Sequence, residues 1–383
     1  MDIKEKALRL HKQYKGKIEI KLKMPLDNKD DLAWAYTPGV AEPCKEIALE
    51  KNRVYDYTNR GNLVAVVTDG SAVLGLGNIG PEAAYPVMEG KAALFKRFAN
   101  IDAIPICLNT QDTEEIINIV RNLEPTFGGI NLEDISAPRC FEIEKRLKEL
   151  MNIPVFHDDQ HGTAIVVLAG LINALKLVKK NFNQIKVVVN GAGAAGLSIA
   201  KLLLSQQVKD LIIVDSKGAI YEGREDLNSE KIILAKQTNQ QKIKGRLEEA
   251  LPQADVFIGV SKGNILQPEW IKLMKPDPIV FAMANPIPEI DPVLAKKAGV
   301  KIMATGRSDY PNQINNVLAF PGVFRGVLDC KAQQITEKMK IAAALALANL
   351  ISDQELSTDY ILPQPFDPRV AQTIAEAVCQ AAK

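Results

Sequence analysis

Cysteine is scarce in this 383-residue chain, and it does not form the patterns of a disulfide scaffold or a thiolate metal site. The cysteines are odd in number and widely scattered, which predicts reduced thiols in a cytoplasmic protein. They are Cys44, Cys107, Cys140, Cys330 and Cys379. Histidine is scarce as well. Because no third histidine or cysteine stands near His157 and His161, we set a zinc site aside.

Long apolar runs are also missing. No uninterrupted run reaches the roughly 18 apolar residues that a membrane-spanning helix needs. The longest candidate, residues 164–178, contains Asn173 and Lys176 and predicts a buried helix instead. The first six residues lead into no apolar segment, so we expect no secretory signal.

Neither sign of charge prevails, since 47 Lys and Arg residues stand against 46 Asp and Glu residues. This balance argues against nucleic acid or an anionic membrane as the main partner, although a local basic pocket for a small anion remains compatible with it. Apolar residues make up 47% of the chain, enough for a sizeable core. The length predicts two domains.

Short β-branched runs alternate with longer helical patterns, which predicts an α/β protein with parallel sheets covered by helices. We place the domain boundary near residue 160. Residues 1–160 then form a catalytic and metal-binding domain, and residues 161–383 form a doubly wound Rossmann domain whose last helices could pack back on the first. The predicted strands are 63–67, 103–108, 153–156, 186–189, 211–214, 256–260, 279–282 and 300–303.

A dinucleotide-binding fingerprint follows the strand at 186–189. Gly191 permits a tight turn, Gly193 lets the backbone approach a pyrophosphate, and Gly196 lets helix and strand pack closely. Ala194 and Ala195 begin the helix whose N-terminus faces the phosphates. Asp215 ends the next strand, 19 positions after Gly196, where a carboxylate meets the adenosine ribose. The alternative is a glycine-rich turn in an unrelated α/β protein.

Two acidic pairs stand at the ends of apolar segments. Glu133 and Asp134 follow a Gly-Gly turn, and Asp158 and Asp159 follow a short strand. Three converging carboxylates would suit a hard cation such as Mg²⁺ or Mn²⁺. The pattern alone leaves open that each pair merely caps a helix or solvates a loop.

Lys91 and Tyr36 are candidates for proton transfer. Lys91 has small, apolar neighbours, so burial could lower its pKa towards the range of a base, although a surface lysine would give the same pattern. Tyr36 could be an acid or a core residue.

Taken together and in order, the motifs resemble the malic enzyme family in its short bacterial, NAD-dependent form, over nearly the whole chain. The segments that carry the resemblance are YTPGV (36–40), VTDGS (67–71), LGLGNIG (74–80), GK (90–91), NLED (131–134), HDDQHGT (157–163), ANP (284–286) and NNVLAFPG (315–322).

The resemblance implies oxidative decarboxylation of (S)-malate to pyruvate and CO₂ with reduction of NAD, and decarboxylation of oxaloacetate as well. It implies that Lys91 takes the hydroxyl proton beside Asp158, and that Tyr36 is the general acid. The implied metal ligands are Glu133, Asp134 and Asp159. Asn285 and Asn316 bind the substrate carboxylate, with Asn285 also facing the cofactor.

The resemblance also implies a homodimer in which one chain could complete the other's active site. NAD is expected to be preferred, because a 2′-phosphate would meet Asp215, although Ser216 and Lys217 could accommodate one.

One departure from the family pattern concerns substrate binding. Larger relatives carry an arginine where this chain has Ala72, so the substrate would be held by Asn285, Asn316, the metal and Ser71. The chain is also too short for the acyltransferase-like C-terminal extension of some bacterial relatives, so we expect no regulation through such a region.

Three other functions remain open from the residues. They are an oxaloacetate lyase with NAD as a bound cofactor, an amino-acid dehydrogenase, and a non-catalytic NAD sensor. Neither of the last two needs the three metal carboxylates.

Overall fold

The computed structural model describes residues 3–73 and 75–383. Leu74, in the middle of the glycine-rich segment 74–80, lies outside the described residues, as do Met1 and Asp2 at the N-terminus.

The first half of the chain is built around a four-stranded parallel sheet in the order β2-β1-β3-β4. Its central strand β1 is buried along its whole length, because helices cover both faces of the sheet. The strands are β1 (Leu63–Thr68), β2 (Asp102–Cys107), β3 (Gly129–Leu132) and β4 (Val155–His157). The helices are α1 (Ile3–Tyr14), α2 (Lys29–Ala35), α3 (Ala41–Leu49), α4 (Val54–Tyr57), α5 (Pro81–Ala99), α6 (Thr113–Arg121) and α7 (Arg139–Leu150).

The second half is a doubly wound sheet in the order β10-β9-β8-β5-β6-β7, parallel except for the edge strand β7. Its strands are β5 (Lys186–Asn190), β6 (Asp210–Asp215), β7 (Gly218–Ala219), β8 (Val256–Gly259), β9 (Ile279–Ala282) and β10 (Ile302–Thr305). The helices are α8 (Asp158–Val178), α9 (Ala194–Ser205), α10 (Ser229–Ala235), α11 (Leu247–Ala250), α12 (Pro268–Ile271), α13 (Pro292–Lys297), α14 (Phe320–Asp329), α15 (Glu337–Ala348) and α16 (Arg369–Ala381). The α/β class with parallel sheets is confirmed.

Helix α8 joins the two halves. It starts directly after β4, so the boundary at residue 160 falls in its first turn and stays a prediction. By length and composition α8 could cross a membrane, but 67% of its most apolar stretch is buried inside the protein. It packs against α9 and α15, as the core helix of a globular fold does, and the buried helix at 164–178 is confirmed.

The C-terminal helices return to the first sheet. Phe320 and Phe324 of α14 contact Phe95 of α5, with ring centroids 4.7 and 5.2 Å apart. This edge-to-face packing fixes α5 against the second half of the chain. It also places the residues just before α14 beside the carboxyl ends of the first sheet, where the acidic pairs lie.

Candidate active site

A buried lysine lies between two carboxylates at the carboxyl edge of the first sheet. Lys91 of α5 is 7% exposed, and its Nζ is 2.6 Å from Asp158 Oδ2 and 2.9 Å from Glu133 Oε1. Glu133 directly follows β3, and Asp158 directly follows β4. Because β3 and β4 are parallel neighbours, their ends bring the two acidic pairs together.

Three carboxylates form a compact oxygen-donor site beside Lys91. One oxygen of each of Glu133, Asp134 and Asp159 lies within 4.8 Å of the others. The backbone N–H of Asp134 donates to Asp159 Oδ2 over 2.9 Å. Asp134 adopts a left-handed backbone conformation (φ 54°), and its Oδ2 is buried without a partner among the described residues.

The electrostatics of this cluster favour a cation. Burial, and then the neighbouring Asp159 and Glu133, raise the pKa of Asp134 to about 9. Burial raises the pKa of Glu133 as well, and it raises the pKa of Asp158 to about 6 despite Lys91. Carboxylates that repel each other in a buried site ionise readily once a divalent cation is bound, so this donor set fits Mg²⁺ or Mn²⁺.

The expectation of a lowered pKa for Lys91 is wrong for this arrangement. Burial does lower the pKa of Lys91, but the adjacent Asp158 and Glu133 outweigh it and raise the pKa above its ordinary value. The ammonium also lies over the Phe320 ring, 4.2 Å from its centroid. Lys91 is therefore held as a cation whose nearest proton partner is Asp158.

Of the two predicted substrate amides, Asn316 joins this cluster. It begins the short turn Asn316–Leu318 ahead of α14, and its side-chain amide donates to Asp158 Oδ2. Asn285 instead lies against the glycine-rich loop, where a Cβ on Gly75 would stand 3.5 Å from the Asn285 carbonyl oxygen. The described contacts do not join Asn285 to Lys91.

Ser71 is buried, and its hydroxyl is already engaged. It donates to Asp69 Oδ1 over 2.5 Å and accepts from the Ser136 N–H and from Arg139 Nη2. Arg139 also pairs with Asp69 at 2.8 Å. The substrate role predicted for Ser71 is therefore not supported, because binding a substrate would break this network. Sequence reasoning missed Arg139, for which only its position shortly after the metal pair gives a signal.

Position 72 lies next to the metal site, because the Ala72 N–H donates to the Asp134 carbonyl over 2.9 Å.

Tyr36 is not brought into the buried cluster within one chain. It caps the C-terminal end of α2 and is 67% exposed, in contrast to the 7% of Lys91. Its neighbours Trp34 and Leu32 are 68% and 51% exposed. The role predicted for Tyr36 as general acid therefore stays a prediction, because the described contacts within one chain do not place Tyr36 beside Lys91.

The glycine turn has the shape of a phosphate cradle. Gly191 has φ 118°, and a Cβ there would lie 2.6 Å from the Val260 carbonyl oxygen. A Cβ on Gly196 would overlap the Gly191 carbonyl oxygen, whereas Gly193 faces open space at the start of α9. Ala194 and Ala195 form the first turn of that helix. The close approach needed by a pyrophosphate is thus available at Gly193.

Asp215 stands at the end of β6, as the fingerprint predicts, but it is not alone. Its carboxylate accepts from Arg224 Nη2 over 2.9 Å and from Lys231 Nζ over 2.7 Å. Burial raises the pKa of Asp215, but the hydrogen bonds from Lys231 and Arg224 outweigh it, so the pKa lies below its ordinary value. Sequence reasoning missed both cations.

Comparison with known proteins agrees with this geometry. Residues 15–148 match the family model "Malic enzyme, N-terminal domain", and residues 160–383 match "Malic enzyme, NAD binding domain". The chain belongs to the malic enzyme family. A bifunctional malic/malolactic enzyme of Bacillus subtilis is 61% identical over 100% of this chain and 93% of its own length.

Two further relatives extend the likeness. An NAD-dependent malic enzyme of Geobacillus stearothermophilus is 59% identical over 96% of this chain and 77% of its own length. The crystal structure of an NAD-dependent malic enzyme from Thermotoga maritima is 53% identical, with a TM-score of 0.94 over 97% of this chain and 98% of that chain. The prediction of an NAD-dependent malic enzyme is confirmed.

Proposed function

We propose that this chain catalyses the divalent-metal-dependent oxidative decarboxylation of (S)-malate to pyruvate and CO₂ with reduction of NAD, and that it also decarboxylates oxaloacetate. The observation that carries the proposal is Lys91, buried between Asp158 and Glu133 and adjoining the three-carboxylate donor set, in a chain that belongs to the malic enzyme family.

Each residue has one task in this reaction. Glu133, Asp134 and Asp159 would hold the cation, which when bound would polarise the substrate oxygens. Lys91, which the two carboxylates hold as a cation, would first pass its own proton to Asp158 over their 2.6 Å contact and then, as a neutral amine, accept the C2 hydroxyl proton. NAD, which would be held at the glycine turn of residues 191–196, would supply the hydride acceptor when bound.

The substrate-facing amide is Asn316, whose contact with Asp158 keeps it beside Lys91. After CO₂ departs, an acid must protonate C3 to give pyruvate, and we assign this step to Tyr36. The direct test of the proposal is NAD reduction by malate with and without EDTA. We expect NADH formation that EDTA stops and Mn²⁺ restores. Formation that EDTA leaves unchanged would disprove the metal dependence.

Asp159→Asn should weaken Mn²⁺ binding on the order of 10- to 100-fold, because it removes one charged ligand while keeping the shape and the oxygen that accepts from the Asp134 N–H. Titration of Mn²⁺ by calorimetry measures the change, and activity should partly return at high Mn²⁺. The matched control is Asp56→Asn, because Asp56 forms an exposed ion pair with Lys331 away from the carboxylate cluster. An unchanged affinity for Mn²⁺ would show that Asp159 is not a ligand.

Tyr36→Phe keeps the ring and removes only the hydroxyl. Oxidation and decarboxylation should continue, while ketonisation of enolpyruvate slows by about 10²–10⁴-fold, because that proton must then come from water. Exchange of the C3 protons of pyruvate in D₂O, followed by NMR, measures this step alone. Tyr57→Phe, on a tyrosine that is 49% exposed in α4, is the control. Normal exchange in the Tyr36→Phe variant would show that another group is the general acid.

We infer that the active enzyme is a homodimer. Helix α1 buries none of its residues in the chain, and Leu32, Trp34 and Tyr36 of α2 and its cap form an exposed apolar surface. A two-fold dimer would cover such a surface and bring the Tyr36 surface of one chain against its partner. Light scattering should give twice 42.0 kDa at working concentration. Full activity at the monomer mass would contradict this.

A second activity is favoured by the bifunctional malic/malolactic relative, which matches the whole chain. If this chain carried out both reactions without releasing the cofactor, malate would yield lactate and CO₂ without net NADH. Lactate measured with NAD far below the malate concentration tests this. A yield of lactate no larger than the amount of enzyme would exclude it.

A further inference from the structure

One carboxylate outside the Lys91 cluster is buried as deeply as the carboxylates within it. Glu144 lies on α7 and is 5% exposed, the same fraction as Glu133. Its Oε1 accepts from the His157 N–H over 3.1 Å, and its Oε2 accepts from the Gln160 side-chain amide over 3.3 Å. His161 Nε2 lies 2.9 Å from the same carboxylate. Glu144 therefore binds one short segment of the chain through three donors.

That segment is the junction between β4 and α8. His157 ends β4, and Gln160 lies in the first turn of α8, so Asp158 and Asp159 stand between the two. Asp158 faces Lys91, and Asp159 belongs to the three-carboxylate donor set. Glu144 thus holds the chain on both sides of this acidic pair.

The charge of Glu144 fixes the direction of these hydrogen bonds. Burial raises the pKa of Glu144, but His161 and Lys148, whose Nζ lies 2.7 Å away, outweigh it and hold the pKa well below its ordinary value. An ionised carboxylate only accepts hydrogen bonds, so His161 carries its proton on Nε2. Its Nδ1 is then left to accept from Lys340 Nζ of α15, 3.4 Å away. Glu144 therefore also sets the orientation of the His161 ring.

The junction needs an anchor from another helix because its carboxylates face like charges. One oxygen of Asp159 lies within 4.8 Å of one oxygen of each of Glu133 and Asp134, and the three repel one another when ionised. The His157 side chain makes no capping hydrogen bond to α8 within the described part of the chain. Groups that orient a metal ligand from behind typically matter by about 10- to 100-fold in metal affinity.

We propose that Glu144 is a positioning residue of the metal site, which holds the β4–α8 junction so that Asp159 can bind the cation. The proposal rests on the proposed metal-dependent function. Glu144 acts through His157, Gln160 and His161, and it contacts neither the cation nor the substrate.

Binding of Mn²⁺ without malate or NAD, followed by the electron paramagnetic resonance of the free ion, tests this role. Glu144→Gln keeps the shape of the side chain but turns one acceptor oxygen into a donor, so it cannot accept from every group that Glu144 holds. We expect the affinity for Mn²⁺ to fall by about 10- to 100-fold. With malate and NAD, the KM for Mn²⁺ should rise by the same factor. The kcat at saturating Mn²⁺ should stay within about threefold, because the bound cation restores the position of Asp159.

Two control variants separate positioning from general charge and from stability. Glu142→Gln makes the same change on the same helix, at a side chain that is 58% exposed and pairs with Arg146. Lys148→Gln removes the salt bridge of Glu144 but leaves its three donors at the junction in place. Both should keep the native affinity for Mn²⁺ within about threefold. If either loses as much as Glu144→Gln, the proposal fails. It also fails if Glu144→Gln melts at a lower temperature but binds Mn²⁺ normally, because the role is then structural.

Glu144→Asp serves if the glutamine variant does not fold. It keeps the charge, but its shorter side chain cannot reach all three donors from α7, so a loss of about tenfold in Mn²⁺ affinity is expected. Normal affinity in this variant would overturn the proposal. A native chain that binds Mn²⁺ but does not oxidise malate would overturn only the proposed function. Normal malate oxidation by the native chain, with unchanged Mn²⁺ affinity in Glu144→Gln, would overturn only the role of Glu144.

Discussion

Lys91→Arg should lose malate oxidation by about 10²–10⁴-fold while still binding Mn²⁺ and nucleotide. Arginine preserves the positive charge between Asp158 and Glu133 but does not give up its proton in proteins, so only the base is removed. NADH formation at saturating malate measures the rate, and calorimetry measures the two ligands. A variant within tenfold of the native rate would show that Lys91 supplies charge alone.

Lys91→Ala tests the same step differently. It leaves two buried carboxylates without their counter-charge, so we expect lower thermal stability in addition to the lost rate. A small amine added to the assay should restore part of the activity, because it can occupy the vacated space and accept the proton. Lys96→Ala is the matched control, since Lys96 lies on the same helix but pairs with Asp102 at the surface. Equal losses in both variants would exclude a role in chemistry.

The carboxylates of the cluster were predictable because they follow strand ends, whereas Lys91 lies within α5 and was joined to them only by the family resemblance. The carboxyl ends of parallel strands meet at one edge, so two acidic pairs placed after short apolar runs were expected to converge. For the first pair, Glu133 and Asp134, the sequence showed a preceding Gly-Gly turn but did not predict the strand between them. In the structure, β3 begins at Gly129 and contains Asn131, two residue types that are rare in strands, and the sheet around them overrides that preference.

No predicted element covers helix α14. Its first residues, Phe320, Pro321 and Gly322, suggest a turn, but proline suits the first turn of a helix because its missing N–H would have no partner there. Gly322 is required by packing, since a Cβ there would lie 2.7 Å from Ile374 of α16. The packing of Gly322 depends on the neighbouring helix, so a local pattern cannot show it.

The cations around Asp215 could not be predicted from the dinucleotide-binding fingerprint. Arg224 and Lys231 lie 9 and 16 positions further along the chain, Arg224 after the edge strand β7 that turns back antiparallel to β6 and Lys231 in α10. No spacing rule connects them. The sequence therefore predicted the Asp215 carboxylate and its contact with the adenosine ribose, but not the positive charges of Arg224 and Lys231 beside it.

The position of Tyr36 leads to the second large prediction. Tyr36 is 67% exposed in its own chain, whereas the proton that it is proposed to supply is needed beside Lys91, which is 7% exposed. A two-fold dimer resolves this if each site combines Lys91 of one chain with Tyr36 of the partner subunit. A heterodimer of a Tyr36→Phe chain and a Lys91→Ala chain then contains one native site and one doubly altered site.

Such a heterodimer, purified through a different tag on each chain, should form keto-pyruvate from malate at about half the rate of the native dimer, although the Lys91→Ala chain alone does not oxidise malate and the Tyr36→Phe chain alone releases enolpyruvate without ketonising it. The reciprocal pair is the control, in which a native chain is joined to a chain that carries both changes. Shared sites then place one change in each site, so no site of this dimer should complete the conversion to keto-pyruvate. If instead the reciprocal pair keeps half the activity and the first heterodimer has none, each site lies within one chain, and Tyr36 must reach Lys91 by a movement of α2.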